Sequence, residues 1–364
     1  MTTTMASIPT TPPLCDLTNR DQDTGKTPTR LLDVPFDLLL QITRLLPIKD
    51  ALSFALVCHQ LYSPAAHRIF SEPYVQSTQI LDRLLASLAI ANQHASKHSE
   101  ARTLVRHVSL SLRVAQLDCN QLERLVAACP RLHSVSIRDV ATAHHWAPPS
   151  PGHSGPLATL KIESLLSLVP QLTHLSLSQI DPLDTPHLIT HVATHCKHLS
   201  SLTLNQCVTL PNDALTWQSS ILALHKLAPH LKSLAIHVDS GARTARTTQE
   251  ALAIVLRDFH CPSLRALKLA AYKFVIGSLE QQDVAAGLLA GLLTRHPALV
   301  RLHLEQFVSF DIVDWVKDGI IAAWKVPQGV RGPRRKVVVD REVKREVKAR
   351  IKQACDGVVV EVAH

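Results

Sequence analysis

From Val105 onward, apolar residues return in a fixed x-x-L-x-x-L-x-L frame. It appears at Val105, Val108 and Leu110, then at Leu132, Val135 and Ile137, then at Leu172, Leu175 and Leu177. It recurs at Leu199, Leu202 and Leu204, at Leu231, Leu234 and Ile236, at Leu264, Leu267 and Leu269, and at Leu299, Leu302 and Leu304. Strict alternation over the last positions of each copy predicts a short strand with one buried face. In five copies a proline stands two residues before the first anchor, at Pro130, Pro170, Pro229, Pro262 and Pro297. Proline removes a helical N–H and clashes with the preceding turn, so each one closes a helix upstream. Those helices carry apolar stripes at Leu122, Leu125, Val126 and Cys129, at Ile162, Leu165, Leu166 and Val169, and at Leu252, Val255, Leu256 and Phe259. Each unit is a helix, a turn and a strand, too small to cover its own apolar face and stable only when stacked. Anchor spacing varies from 27 residues (Val105 to Leu132) to 40 (Leu132 to Leu172). The excess maps to residues 141–159, which their proline, glycine and histidine content predicts to be a loop.

Ahead of the repeats, residues 31–70 have a different pattern. Leu38, Ile42, Leu45 and Leu46 fall at helical spacing on one side, while Leu39 and Leu40 carry apolar character to the other. Pro35 precedes this helix and Pro47 ends it. A second helix is predicted from Asp50 as N-cap, through Leu52, Ala55, Leu56 and Cys58, to a break at Tyr62-Ser63-Pro64. Forty residues with so many large aliphatics cannot bury them all alone, so a partner is expected to cover one face. A short strand at Tyr74 and Val75, then a helix with Ile80, Leu84, Leu85 and Leu88 on one face, joins the module to the repeats through residues 71–100. No Gly/Ser linker interrupts it.

These residues carry two resemblances. Val34-Pro35-Phe36-Asp37-Leu38, Leu46-Pro47, Asp50, Leu52 and Leu56-Val57-Cys58 resemble the F-box motif, with Val34 for its usual Leu, Asp37 for Glu and Leu61 for the frequent Trp. The repeats resemble leucine-rich repeats, and Leu199 to Cys207 resembles the cysteine-containing type, in which Cys207 would satisfy turn backbone. Together they resemble the fungal-type F-box/leucine-rich-repeat family. The resemblance implies an α/β fold: a small all-α three-helix module followed by an irregular solenoid over residues 101–313, its parallel sheet concave and its helices convex. It also implies docking on the Skp adaptor of a cullin-RING ubiquitin ligase through Pro35, Leu38, Leu39, Ile42, Leu46, Val57, Cys58 and Leu61. The protein would then be a substrate-recognition adaptor that performs no chemistry itself and needs no cofactor.

If the frame leucines point inward, the alternating residues form the face left for a target protein. The expected contacts there are Ser136, Arg138, His174, Ser176, Thr203, Asn205, His237, Lys268, Arg301 and His303. They are small, hydroxylic or mildly basic, which suits an extended or acidic partner.

Composition narrows the alternatives. The chain is 46% hydrophobic but only 4% aromatic, so its core is aliphatic. Eight cysteines stand singly without a CxxC pair, as reduced thiols of the cytoplasm or nucleus would. Residues 1–30 have no signal-peptide core and are expected to be disordered. No apolar run is long enough for a membrane span. HExxH and nucleophile-elbow motifs are absent, Gly25-Lys26-Thr27 lacks the rest of a phosphate loop, and His144, His145 and His153 share a loop unsuited to fixing metal geometry. The net charge of +8 concentrates between Arg331 and Lys352, within a C-terminal segment, 314–364, expected to form two strands around a charged helix as a cap. Two rival readings remain: a leucine-rich scaffold unconnected with ubiquitin, and a nucleic-acid adaptor led by Arg334, Arg335 and Lys336. The lack of nearby aromatic platforms argues against the second.

Overall fold

A computed structural model describes residues 31–94, 104–112, 114–139, 155–180, 185–209, 214–239, 257–271, 279–305, 312–325, 334–339, 345–355 and 357–362. The expectations for residues 1–30, for His144, His145 and His153, and for Leu252, Val255 and Leu256 lie outside that range.

The chain opens with helices α1 (Phe36–Leu45), α2 (Ile48–Val57) and α3 (His59–Ser71). Pro35 and Pro47 sit at the N-caps of α1 and α2, where a missing N–H costs no hydrogen bond. The second helix therefore starts ahead of Asp50, which lies in its first turn rather than at the cap. The break expected at Tyr62-Ser63-Pro64 falls instead at Cys58, whose extended backbone ends α2 and begins α3. Pro64 is held inside α3, and its carbonyl accepts a hydrogen bond from the buried Thr43 hydroxyl at 3.1 Å, which ties α1 to α3. Leu39, Ala51, Leu61 and Ala65 fill the small core of this bundle.

The far end of α3 belongs to a second, larger core. Ala66 and Phe70 join the cluster that runs on through Val75, Leu81, Leu85 and Leu88 into the repeats. Strand β1 (Tyr74–Val75) and helix α4 (Thr78–His94) follow directly. On α4 the inward stripe begins at Leu81, and Ile80 is turned outward.

One parallel sheet of ten strands then builds up strictly in sequence order. After β1 come β2 (His107–Leu112), β3 (Ser134–Asp139), β4 (His174–Ser178), β5 (Ser201–Thr209), β6 (Ser233–Asp239), β7 (Ala266–Ala271), β8 (Arg301–Glu305), β9 (Arg335–Val339) and β10 (Val358–Val362). Between them run α5 (Cys119–Ala128), α6 (Gly155–Leu168), α7 (Thr185–His195), α8 (Ala214–Leu227), α9 (Leu279–Arg295), α10 (Ile312–Trp324) and α11 (Arg345–Ala354). Helix α6 starts within the stretch expected to be a loop; a proline in the first helical turn, as at Pro156, needs no donor there. Strand β5 runs through Cys207, with a register shift between Asn205 and Val208 against β6.

The frame residues form the core. Val105, Leu132, Leu172, Leu199, Leu231, Leu264 and Leu299 are all fully buried, one per repeat, and Val337, Ile351, Cys355 and Val358 extend the same cluster to the last strands. Thus β1, β9 and β10 are strands of the same sheet as the seven framed copies. The backbones of α9 and α10 come close at Gly319, where a Cβ would stand 2.9 Å from the Ala286 carbonyl oxygen.

Candidate partner-binding surfaces

Two surfaces follow from this architecture. The first is the outside of the helical module. Leu45 is 85% exposed, Leu56 87% and Val57 69%, and Leu38, Ile42, Ile48 and Leu52 are exposed beside them. Large aliphatics so exposed on a small bundle are the mark of a covered face. Of the docking residues expected from sequence, Pro35, Leu38, Ile42 and Val57 lie on the outside, while Leu46 and Cys58 are half-buried. Leu39 and Leu61 are closed inside the bundle, so they hold the module together rather than face a visitor. One residue on from Leu38, Leu39 is turned by about 100° around α1. Leu45, Leu52 and Leu56 belong to the exposed set, and their signal was present as the surplus apolar face.

The second surface is the open face of the sheet. Register places Ser109, Ser136, Ser176, Thr203, Ala235, Lys268 and His303 in one row across neighbouring strands. A parallel row holds His107, Ser134, His174, Ser201, Ser233, Ala266 and Arg301, and a third holds Arg138, Ser178, Asn205, His237, Ala270 and Glu305. All ten residues expected to face a target therefore lie in these rows. Towards β2 and β3 the rows are hydroxylic, and His107 Nδ1 meets the Ser134 hydroxyl at 2.5 Å. Burial pushes the His107 imidazole below its ordinary pKa, which favours the neutral ring.

Charge on this face is largely paired. Lys268 forms an ion pair with Glu305, and Lys336 one with Glu361. Burial works to raise the Glu305 carboxyl, yet the Lys268 ammonium prevails and holds it below its usual range. Arg138 donates to Gln179 at 2.8 Å, and Gln179 adopts positive φ at the end of β4. The guanidinium of Arg335 stacks over Trp324, 4.7 Å from the ring centroid. Arg335 and Lys336 are thus engaged within the fold, which weakens the tail-led nucleic-acid reading.

Among the described residues, no group of three or more His, Cys, Asp or Glu is placed to hold a metal ion. No described helix is long and apolar enough to cross a membrane.

A helical module leading into a stacked parallel sheet defines a repeat protein with a helical N-terminal module. Comparison with known families and structures gives both halves a name. The F-box domain family matches residues 31–63. The leucine-rich repeat-containing protein LegL7 from Legionella pneumophila is similar in fold, with a TM-score of 0.52 over 86% of each chain at 11% identity. No curated protein matches the chain. The fold is therefore a helical F-box followed by a solenoid of the leucine-rich-repeat type.

Proposed function

We propose that the protein is the substrate-recognition adaptor of an Skp-cullin-F-box ubiquitin ligase. The F-box docks on the Skp subunit, and the open face of the solenoid holds the target protein. The exposed Leu45, Leu56 and Val57 carry this reading, because nothing in the chain covers them among the described residues. A visiting apolar groove would remove them from water at roughly 1.5–3 kcal/mol for each large side chain. The adaptor supplies position only; other subunits perform the transfer. Single unpaired cysteines fit a cytoplasmic or nuclear setting, where thiols remain reduced.

The test is capture of Skp by the full chain. A Leu45→Asp/Leu56→Asp pair alters only exposed positions and is expected to abolish capture while leaving the thermal melt within a few degrees. Undiminished capture by that variant would remove the docking face from this region.

A further inference from the structure

The edge of the sheet where strands begin has a composition unlike the open face. Because all strands are parallel, every helix-to-strand turn falls on this one edge. The described turns into β3 to β8 read CPRLH (129–133), VPQLT (169–173), CKHLS (196–200), APHLK (228–232), FHCPSLR (259–265) and HPALV (296–300), and none of these contains a carboxylate, while the turn into β1 carries Glu72. Between the entries to β5 and β8 they enclose a cleft of about 400 Å³, with Lys197, His198, His230, Lys232 and Arg265 on its walls and Pro229 beside them. Lys197, Lys232 and Arg265 are exposed, and no described carboxylate pairs with them.

The frame beneath them is fixed. The Ser263 hydroxyl is within hydrogen-bonding distance of the Ala228 and Leu231 carbonyls, at 2.6 and 2.9 Å, and the Ser200 hydroxyl donates to Thr173 at 3.2 Å. Backbone hydrogen bonds from Lys232 to Ser200 and from Arg265 to Lys232, both 2.8 Å, lock one turn onto the next. Lys232 and Arg265 are thereby held at matching positions just ahead of β6 and β7, roughly 5 Å apart from strand to strand, and Lys197 stands in the neighbouring turn ahead of β5. This contrasts with Lys268 and Lys336 on the open face, which already have carboxylate partners.

We propose that this edge cleft binds an acidic polypeptide segment. Resting on the adaptor reading, it would be the part of the target that carries Asp and Glu, seated beside the open face through Arg301. The span of three strand entries matches roughly three or four residues of extended chain. A polypeptide fits better than a nucleic acid, because no Phe, Tyr or Trp lines the cleft for base stacking, while Pro229 and Ala298 offer small apolar contacts.

The test is fluorescence anisotropy of the full chain with a labelled twelve-residue peptide of alternating Glu and Gly, beside a twelve-nucleotide single-stranded RNA. The wild type is expected to bind the peptide, and Lys197→Glu/Lys232→Glu/Arg265→Glu to weaken it by about tenfold or more. The neutral Lys197→Gln/Lys232→Gln/Arg265→Gln set should also weaken it, to a smaller degree, which separates charge loss from misfolding. No peptide binding by the wild type, equal binding by both variants, or tighter RNA binding lost with the same residues would each overturn the proposal. Skp capture is measured in parallel: its absence in the wild type defeats the adaptor reading while leaving the edge result standing.

Discussion

His296 shows how a single side chain stitches one repeat to the next. It is fully buried at the end of α9, its Nδ1 lies 2.7 Å from the Leu292 carbonyl, and its Nε2 accepts the Cys261 amide at 2.9 Å. That arrangement requires the neutral ring with its proton on Nδ1. Burial lowers its pKa, outweighing the Leu292 carbonyl that would raise it. An unfolded chain would bind a proton near the ordinary value of about 6.5 while the folded one refuses it, so stability is fully present above that pH and declines as pH falls below it. Burial also leads the depression of His67, His107 and His191, so all four act in the same direction. Chemical denaturation between pH 7.5 and 5 should show stability falling. His296→Leu should flatten part of that slope while costing about 1–3 kcal/mol at pH 7.5, since the Cys261 amide loses its acceptor. An unchanged slope would place the titrating groups elsewhere. Cys261 has a similar stitching role: its thiol lies 3.2 Å from the Ala228 carbonyl. Sequence reading gave that kind of role to Cys207, whose side chain lies outside the described residues. It counted Cys129 only as part of an apolar stripe and gave no such role to Cys196 or Cys261, because a lone cysteine at a helix end looks like any small apolar residue. Burial pushes the Cys129 thiol up to about 12 and Cys196 to about 11, so both should resist alkylation in the native state.

At the scale of elements, α3 joins two cores. Its first half closes the F-box around Leu61 and Ala65, and its second half sends Ala66 and Phe70 into the solenoid. Leu39→Ala should therefore cost about 2–5 kcal/mol in denaturant melts, whereas Leu38→Ala, on the exposed side of the same helix, should stay within about 0.5 kcal/mol. Comparable losses from both would mean the helix is rotated from the orientation seen here. The strands of the seven framed copies were legible from apolar alternation alone, since period two leaves only one face for the apolar set. The helix boundaries in the F-box were less so. Proline at 64 reads as a stop in isolation, but tertiary contact through Thr43 retains it within a helix. The two sides of α1 were indistinct for a related reason: Leu38, Leu39 and Leu40 are equally apolar, and only burial in the folded bundle decides which turns inward.

For the whole molecule, the sheet forms one continuous ladder to Val362, and β9 is bonded to β8 through Leu302 to Val337 and Leu304 to Val339. Ending the chain after Lys325 would strip β8 of its neighbour and open an unprotected strand edge. Such a truncation should melt at lower temperature and self-associate in sedimentation; a monomer with unchanged melting would show that the last two strands contribute nothing. The charged C-terminal stretch gave a sequence signal for surface, yet Val337, Ile351 and Val358 anchor it to the shared core. The basic cleft on the strand-entry edge was harder to foresee, because Lys197, Lys232 and Arg265 are scattered through the chain no more than one per turn and meet only when the turns stack. Strand order also follows chain order without exception, and β1 leaves directly from the F-box helices. Reach therefore becomes a matter of counting: on the adaptor reading, each repeat gained or lost would shift a bound cargo by a step of about 4.8 Å along the sheet. Lengthening or shortening the array is a graduated ruler by which one ligase could present different lysines to the same enzyme.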